Sequence, residues 1–464
     1  MSESRVAWRW QMALVVVLSA CGPALVGCPA PDSNAKNGAP SGEAEPAADK
    51  AAAKSDQGKE ESKTVVRTAE DSAAIEALGK AGVDLQTVED GDKKWIIGLK
   101  RGTATLKNDD LALLIGLPNL ETIDLTDCPD ITNDGLAHLS SLKSLKSLVL
   151  TNCSTVGDEG LAHLVSCARL EDLNLDRTGV RDDGLKHLAQ LPSLRRLRMP
   201  QTFVTDAGLA HLKESKNLEL IDLQDCNLVS NAGIAHLTGL SKLRDLKMWG
   251  VQIDDAVLDS VSQLPNIQIL GFDDTRVSNL EKLKGCKTLR RLSLVRSAVD
   301  NAGVAVLAEL PSLEIVRLRG TVVGDSGVGA LASLTKIRVL DLSETQVGDE
   351  GVAKLTALTN LEELNLWKTQ VTDAGVKQLA VFKKLRRLNL DDDSQITDAA
   401  METIAQFAEL EFLHLGDTQV SDQGIAKLGE LKKLKELIVE FCPNVTSKSV
   451  KQLKERLPNL VVKE

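Results

Sequence analysis

Leu117-Pro118-Asn119-Leu120-Glu121-Thr122-Ile123-Asp124-Leu125 and Leu358-Thr359-Asn360-Leu361-Glu362-Glu363-Leu364-Asn365-Leu366 are near copies within one chain. The leucine or isoleucine equivalent to Leu120 returns at 145, 170, 194, 218, 243, 267, 289, 313, 337, 361, 385, 410 and 434, giving fourteen copies at a period of 22 to 25 residues. The whole unit reads L-x-x-L-x-L-x-x-[C/T]-x-x-[V/I]-[T/G]-D-x-G-[L/V]-x-x-L. Its alternating leucines point one way from a short strand, and G-L-x-x-L presents one apolar face of a short helix. A single unit cannot bury both faces, but stacked units share one aliphatic core.

The expected fold is therefore an α/β solenoid, a curved right-handed superhelix with parallel strands on the concave face and short helices on the convex face. Repeats fill residues 117–456. A closing half-unit at 457–464, Leu457-Pro458-Asn459-Leu460-Val461-Val462, adds a strand. Residues 64–116 are expected to form an N-terminal cap, with helical stretches at Ala69–Ala81 and near Asp109–Ile115 around the apolar run Trp95–Leu99.

This unit resembles the leucine-rich repeat, specifically its cysteine-containing subclass known from F-box-associated substrate receptors. The resemblance covers roughly three quarters of the chain. It implies a surface that binds another macromolecule rather than a catalyst. Fold alone does not transfer function.

Before the repeats, Arg5 and Arg9 precede the apolar run Met12–Ala20 and a small-residue site, the layout of a secretory signal and too short to span a membrane. Leu18-Ser19-Ala20-Cys21 resembles the bacterial lipobox, whose cysteine receives a diacylglycerol group before cleavage. Leu25-Val26-Gly27-Cys28 is a competing match, with Gly22 and Pro23 interrupting its apolar region and Pro29 directly after the cysteine. The sequence thus reads as a bacterial leucine-rich-repeat lipoprotein with a signal peptide at 1–20, lipidation at Cys21 or alternatively Cys28, and an Ala/Pro/Ser/Glu/Lys tether at 21–63. That places it in the cell envelope, exported and lipid-anchored.

Composition removes several other classes. The chain carries 55 Lys and Arg against 66 Asp and Glu, a net charge of −11 without a basic stripe, which argues against nucleic acid as a partner. Cys128, Cys153, Cys167, Cys226, Cys286 and Cys442 fall at repeat positions held elsewhere by Thr, Leu or Phe, so they are expected as small buried hydrophobes rather than disulfide partners. No Cys-x-x-Cys, Gly-rich phosphate loop or H-E-x-x-H occurs. No metal, cofactor or catalytic residue is assigned.

Three ladders invite chemistry. Asn133, Asp158, Asp182, Asp206, Asn231, Asp255, Asn279, Asn301, Asp325, Asp349, Asp373, Asp398 and Asp422, with Ser447 last, sit just before the helix; they could stack carboxylates for calcium, but the expected role is helix N-capping. His138, His163, His187, His211 and His236 align on the helices, where they are expected to face outward. Gly324-Asp325-Ser326-Gly327 resembles a serine-protease nucleophile segment, yet sister units read Gly157-Asp158-Glu159-Gly160 and Gly348-Asp349-Glu350-Gly351, so Ser326 is a variable position after a cap.

Exposed strand positions are the expected binding surface. Asp124, Thr126, Asp172, Asn174, Asp222 and Gln224 make the early units polar, and Asp391, Asp392 and Asp393 make unit twelve acidic. Between them Lys247, Trp249, Arg291, Arg296, Arg317, Arg319 and Trp367 form an expected partner-binding patch of basic and aromatic residues, the composition of interface anchors. The partner is expected to be a protein. A glycan is the alternative, and a degradation receptor a third reading that lacks an F-box-like segment before the repeats.

Overall fold

The computed structural model describes residues 67–464. The expected signal peptide, Cys21, Cys28 and the tether lie outside the described residues. Among those described, no helix is long and apolar enough to cross a membrane.

Each unit spends its residues the same way. The flat part of L-x-x-L-x-L holds only about three residues, so most strands are that short: β3 (Thr122–Asp124), β4 (Ser147–Val149), β5 (Asp172–Asn174), β6 (Arg196–Arg198), β7 (Leu220–Leu223), β8 (Asp245–Trp249), β9 (Ile269–Asp273) and β10 (Arg291–Ser293). The series continues through β11 (Ile315–Arg317), β12 (Val339–Asp341), β13 (Glu363–Asn365), β14 (Arg387–Asn389), β15 (Phe412–His414), β16 (Glu436–Ile438) and β17 (Val461–Lys463). From β3 onward each strand pairs in parallel with the next in chain order, within a sheet of 17 strands among the described residues. Short α-helices and 3-10 turns return the chain along the other side. The inward leucines, such as Leu148, Leu173, Leu197 and Leu388, are fully buried in one continuous aliphatic core.

The segment expected as a cap carries a hairpin ahead of the repeats. β1 (Asp84–Asp90) forms an antiparallel hairpin with β2 (Lys93–Lys100), and β2 pairs in parallel with β3. The first helix, Ser72–Lys80, precedes the hairpin. Sequence pattern missed β1 because its exposed, charged residues carry no alternation of apolar side chains.

After most strands one residue turns left-handed. Twelve non-glycine residues hold φ between 49° and 63°, among them Asp127, Asn152, Arg296 and Lys368. Ten of their N–H groups still donate to the next unit, as Asp127 does to the Thr151 carbonyl at 2.9 Å, so the ladder carries the chain around the bend and offsets the strain.

The aspartate ladder corrects the capping expectation. The helix-entry cap is the residue before it: Thr205, Ser230, Thr372 and Ser421 accept from their own first-turn N–H groups. The aspartate is the first helical residue and reaches into the following unit. Asp158 Oδ1 accepts from Arg181 N at 2.7 Å; Asp349 accepts from Thr372 N at 2.8 Å through Oδ1 and from Thr372 Oγ1 at 2.7 Å through Oδ2. Thirteen junctions carry this staple, beginning with Asn108 to Thr132 N.

The glycine of D-x-G follows from the same bond. A Cβ on Gly184 would lie 2.6 Å from Asp158 Oδ1, and one on Gly351 would lie 2.5 Å from Asp325 Oδ1. One unit's carboxylate occupies the space where the next unit's side chain would be. Where the glycine becomes Val257 or Ala400, the helix starts late, at Val257 and Met401.

Asp158→Ala leaves a backbone donor unpaired and Gly184→Ala overpacks it, so each is expected to cost about 1–3 kcal/mol in urea unfolding. The double variant loses roughly 1 kcal/mol less than the sum, because removing the carboxylate makes room for the methyl group. Strict additivity would show that the two residues are not matched.

Candidate functional site: the strand face

Period-two alternation sends Asp245, Lys247 and Trp249 of β8 to the open face while Leu246 and Met248 enter the core. Parallel register then lines up columns across units, placing Ser293, Arg317, Asp341 and Asn365 side by side. All seven expected partner-binding residues occupy this face or the turn that follows it. None belongs to the buried core.

The structure brings them together in pairs rather than as one basic patch. The Arg296 guanidinium sits 5.7 Å from the Trp249 ring centroid and makes two hydrogen bonds to Asp274, at 2.7 and 2.6 Å. Arg319 lies 4.6 Å from the Trp367 centroid and donates to Glu344 at 2.9 Å. Lys247 Nζ is 3.8 Å from Asp222. Arg291 and Arg317 are likewise engaged. The patch is therefore an ion-paired surface with two cation–aromatic stacks, five strands apart, and each indole has a guanidinium beside its ring.

Asp222, expected as an exposed strand position, is 5% exposed, and the other carboxylates around those cations escaped the sequence reading. Asp222, Asp245, Asp273, Asp341 and Glu363 share the face, and burial pushes each carboxyl above its ordinary range, Asp245 to about 6. Nearby cations pull the other way: Lys247 on Asp222 and Asp245, Arg317 on Asp273 and Asp341, and Arg387, then Arg317, on Glu363. Ile315 and Val339 also lie on the face, buried yet outside the main core cluster. They form an apolar centre with a charged surround. Their signal in the sequence was an apolar residue at an x position of the strand, at 315 and 339.

Three other readings are settled by placement. Asp393 does not join the acidic surface with Asp391 and Asp392; it takes the inward position held by Thr345 and Thr418 elsewhere and is 2% exposed. Five of the six cysteines are wholly or almost wholly closed off and all six are free, several donating to a carbonyl of the preceding unit, as Cys226 does to Met199 O at 3.0 Å. Of the histidine ladder, His138, His163, His211 and His236 are exposed on the helix side. Among the described residues no group of three or more His, Cys, Asp or Glu side chains could hold a metal ion.

A family model described as a leucine-rich repeat region matches residues 202–461, and a leucine-rich repeat model matches 116–140 and 141–165. The chain belongs to the leucine-rich repeat family. No curated protein matches it. Similar solved structures include an internalin from Listeria monocytogenes, 19% identical over 65% of this chain and 82% of that one, with a TM-score of 0.51. A leucine-rich repeat protein of Leptospira interrogans is 18% identical over 76% and 98% of the two chains, with a TM-score of 0.47. The yeast Rad7 and Elc1 complex is matched at 19% identity over 77% and 83%, with a TM-score of 0.49. At these identities the likeness concerns the repeat fold alone.

Asp393 gives a pH test of this repeat array. Burial pushes its carboxyl up to about 7 from 3.8, Asp392 and Asp391 push it further, and the hydrogen bonds from Thr369 pull it down; its Oδ2 has no partner. The folded chain thus holds the proton more tightly than the unfolded chain. The stability this supplies is complete below about pH 4, and it is lost as pH rises to about 7. Asp393→Asn should raise the melting temperature at pH 8 and lose most of that gain at pH 4; an equal gain at both would refute the assignment.

Proposed function

We infer that this chain is a non-enzymatic binding scaffold of the bacterial envelope, tethered through a lipid on Cys21 or Cys28, and that it recognises a protein partner through the strand face. The observation that carries the reading is the open face itself. Trp249 and Trp367 stand on it with their arginines, Ile315 and Val339 lie between them beneath the charged side chains, and no element among the described residues covers it. Apolar residues ringed by polar groups are the anatomy of a protein interface, and solenoid faces generally serve that purpose. Trp249 and Trp367 are single indoles far apart, which suits protein anchors better than the adjacent rings on which sugars stack; the one neighbouring pair of rings among the described residues, Phe412 and His414, meets edge to face.

The non-enzymatic part of the reading rests on the repeat pattern. Ser326, the residue that looks like a protease nucleophile, is exposed on the helix side, and its neighbour Asp325 staples Gly348 N at 2.7 Å. Serine hydroxyls do lie beside two of the carboxylates that burial raises, Ser293 Oγ donating to Asp273 and Ser343 Oγ to Asp341, each at 2.6 Å, and both are read as structural bonds of the turns that follow the strands.

A photo-crosslinking residue placed at Val295 on the strand face should capture a discrete protein adduct in cells, while the same residue at His187 on the helix side should not. Adding Trp367→Ala with Arg319→Glu should reduce the adduct at least fivefold. Equal capture from both faces would refute the strand-face reading. Labelling with a radioactive fatty acid tests the tether separately: label should reach wild type and be lost in either Cys21→Ala or Cys28→Ala, and unlabelled wild type would remove the anchor.

A further inference from the structure

Residues 264–285 form the shortest unit, and three independent features fail together where it meets the unit at 286–309. The first is the staple. Asn279 Oδ1 accepts from Glu281 N in its own unit at 3.0 Å, and Asp300 turns onto its own helix, accepting from Ala302 N at 2.9 Å and Gly303 N at 3.0 Å. No bond among the described residues joins Asn279 to residue 300, although every other junction from Asn108 onward carries one.

The second feature is helical. The return segment of this unit is a lone 3-10 turn, Glu281–Gly285, with no α-helix before it to pack against Asn301–Ala305. The third is electrostatic. The residue before each strand alternates in sign along the array, from Glu121, Lys146, Glu171 and Arg195 through to Glu411 and Lys435. Neighbours pair, as Arg195 does with Glu219 at 2.9 Å and Arg338 with Glu362 at 2.8 Å. Gln268 stands in the slot where a carboxylate is due, between Arg244 and Arg290.

On the strand side the same junction is reinforced. β9 and β10 pair over three residues, as the regular junctions do, and side chains add to the ladder. Asp273 Oδ1 accepts from Ser293 Oγ at 2.6 Å and Val295 N at 2.9 Å, and Arg296 grips Asp274. On the helix side Leu280 and Leu283 share the core with Val304 and Leu307, and Gly303 packs close to the Ser278 carbonyl.

We propose that this junction is a hinge, opening on its helix side ahead of the regular junctions while the strand side stays paired, so that the strand face changes curvature between Lys247 and Arg317. In a stack where each unit touches only its neighbours, a weakened interface divides the array into blocks that move relative to one another. The junction lies inside the surface assigned to the partner, but the hinge does not depend on that assignment.

Two measurements on the full chain test it. Glu214, Glu309 and Gln406 are exposed residues at one repeat position, four units apart. Spin labels at Glu214→Cys with Glu309→Cys span the hinge, and labels at Glu309→Cys with Gln406→Cys span regular junctions. The first pair should give a distance distribution at least twice as wide as the second, and equal widths would overturn the proposal. Hydrogen exchange supplies the cause. Amides of residues 278–285 and 300–309 should exchange at least tenfold faster than those of 349–357, while those of 270–273 remain protected. Asp349→Ala should create a second fast segment at 372–381; if it leaves exchange there unchanged, the missing staple is not what loosens the hinge.

Discussion

An aspartate oxygen 2.7 or 2.8 Å from the N–H that opens the following unit's helix recurs through most of the array. The unit has two short elements, neither stable alone, and its strands offer only about three ladder positions each. Leucine packing supplies the bulk of the burial but is indifferent to small slips between aliphatic neighbours. The staple fixes the register of one helix on the next, because it needs an Asp or Asn side-chain oxygen in one unit and room for it, in most units supplied by a glycine, at a set place in the other. Left-handed turns and alternating charges are secondary locks built on the same spacing. Each half-exposed ion pair adds at most about 1 kcal/mol, so the staple is the main side-chain polar contact between units, beside the backbone ladder of the strands.

The period and the inward leucines were open to reading because both depend on residues close in sequence. Leu120, Ile123 and Leu125 announce a strand by spacing alone, and Leu136 with Leu139 announce a helix face. Asp158 was misjudged because its partner, Arg181 N, is 23 residues away and only the stack brings the two together. Local rules assign such a residue to the nearest helix N-terminus. Asp393 was placed on the surface for a similar reason: polarity outweighed register, although the aligned Thr345 and Thr418 mark an inward position.

The candidate site was legible in its residues and not in its state. Trp249, Arg296, Arg319 and Trp367 are where the pattern places them, but their charges are already met by Asp274 and Glu344. A face of matched ion pairs around Ile315 and Val339 selects a partner by shape and by complementary polar groups more than by net charge. The same matching argues against a free cationic patch for phosphate backbones. The repeat with the missing staple lies in the middle of this face, so the place of greatest chemical variety is also the place where the array departs most from its own rule.

The central claim is that the carboxylate of one unit holds the next, and atomic-resolution crystallography tests it most directly. The account predicts Asp and Asn side-chain oxygens within hydrogen-bond reach of the following unit's helix-entry amide at every regular junction, with the Asn279 to Asp300 junction unbridged. Carboxylates turned back onto their own helices, or an intact bridge from Asn279, would contradict it.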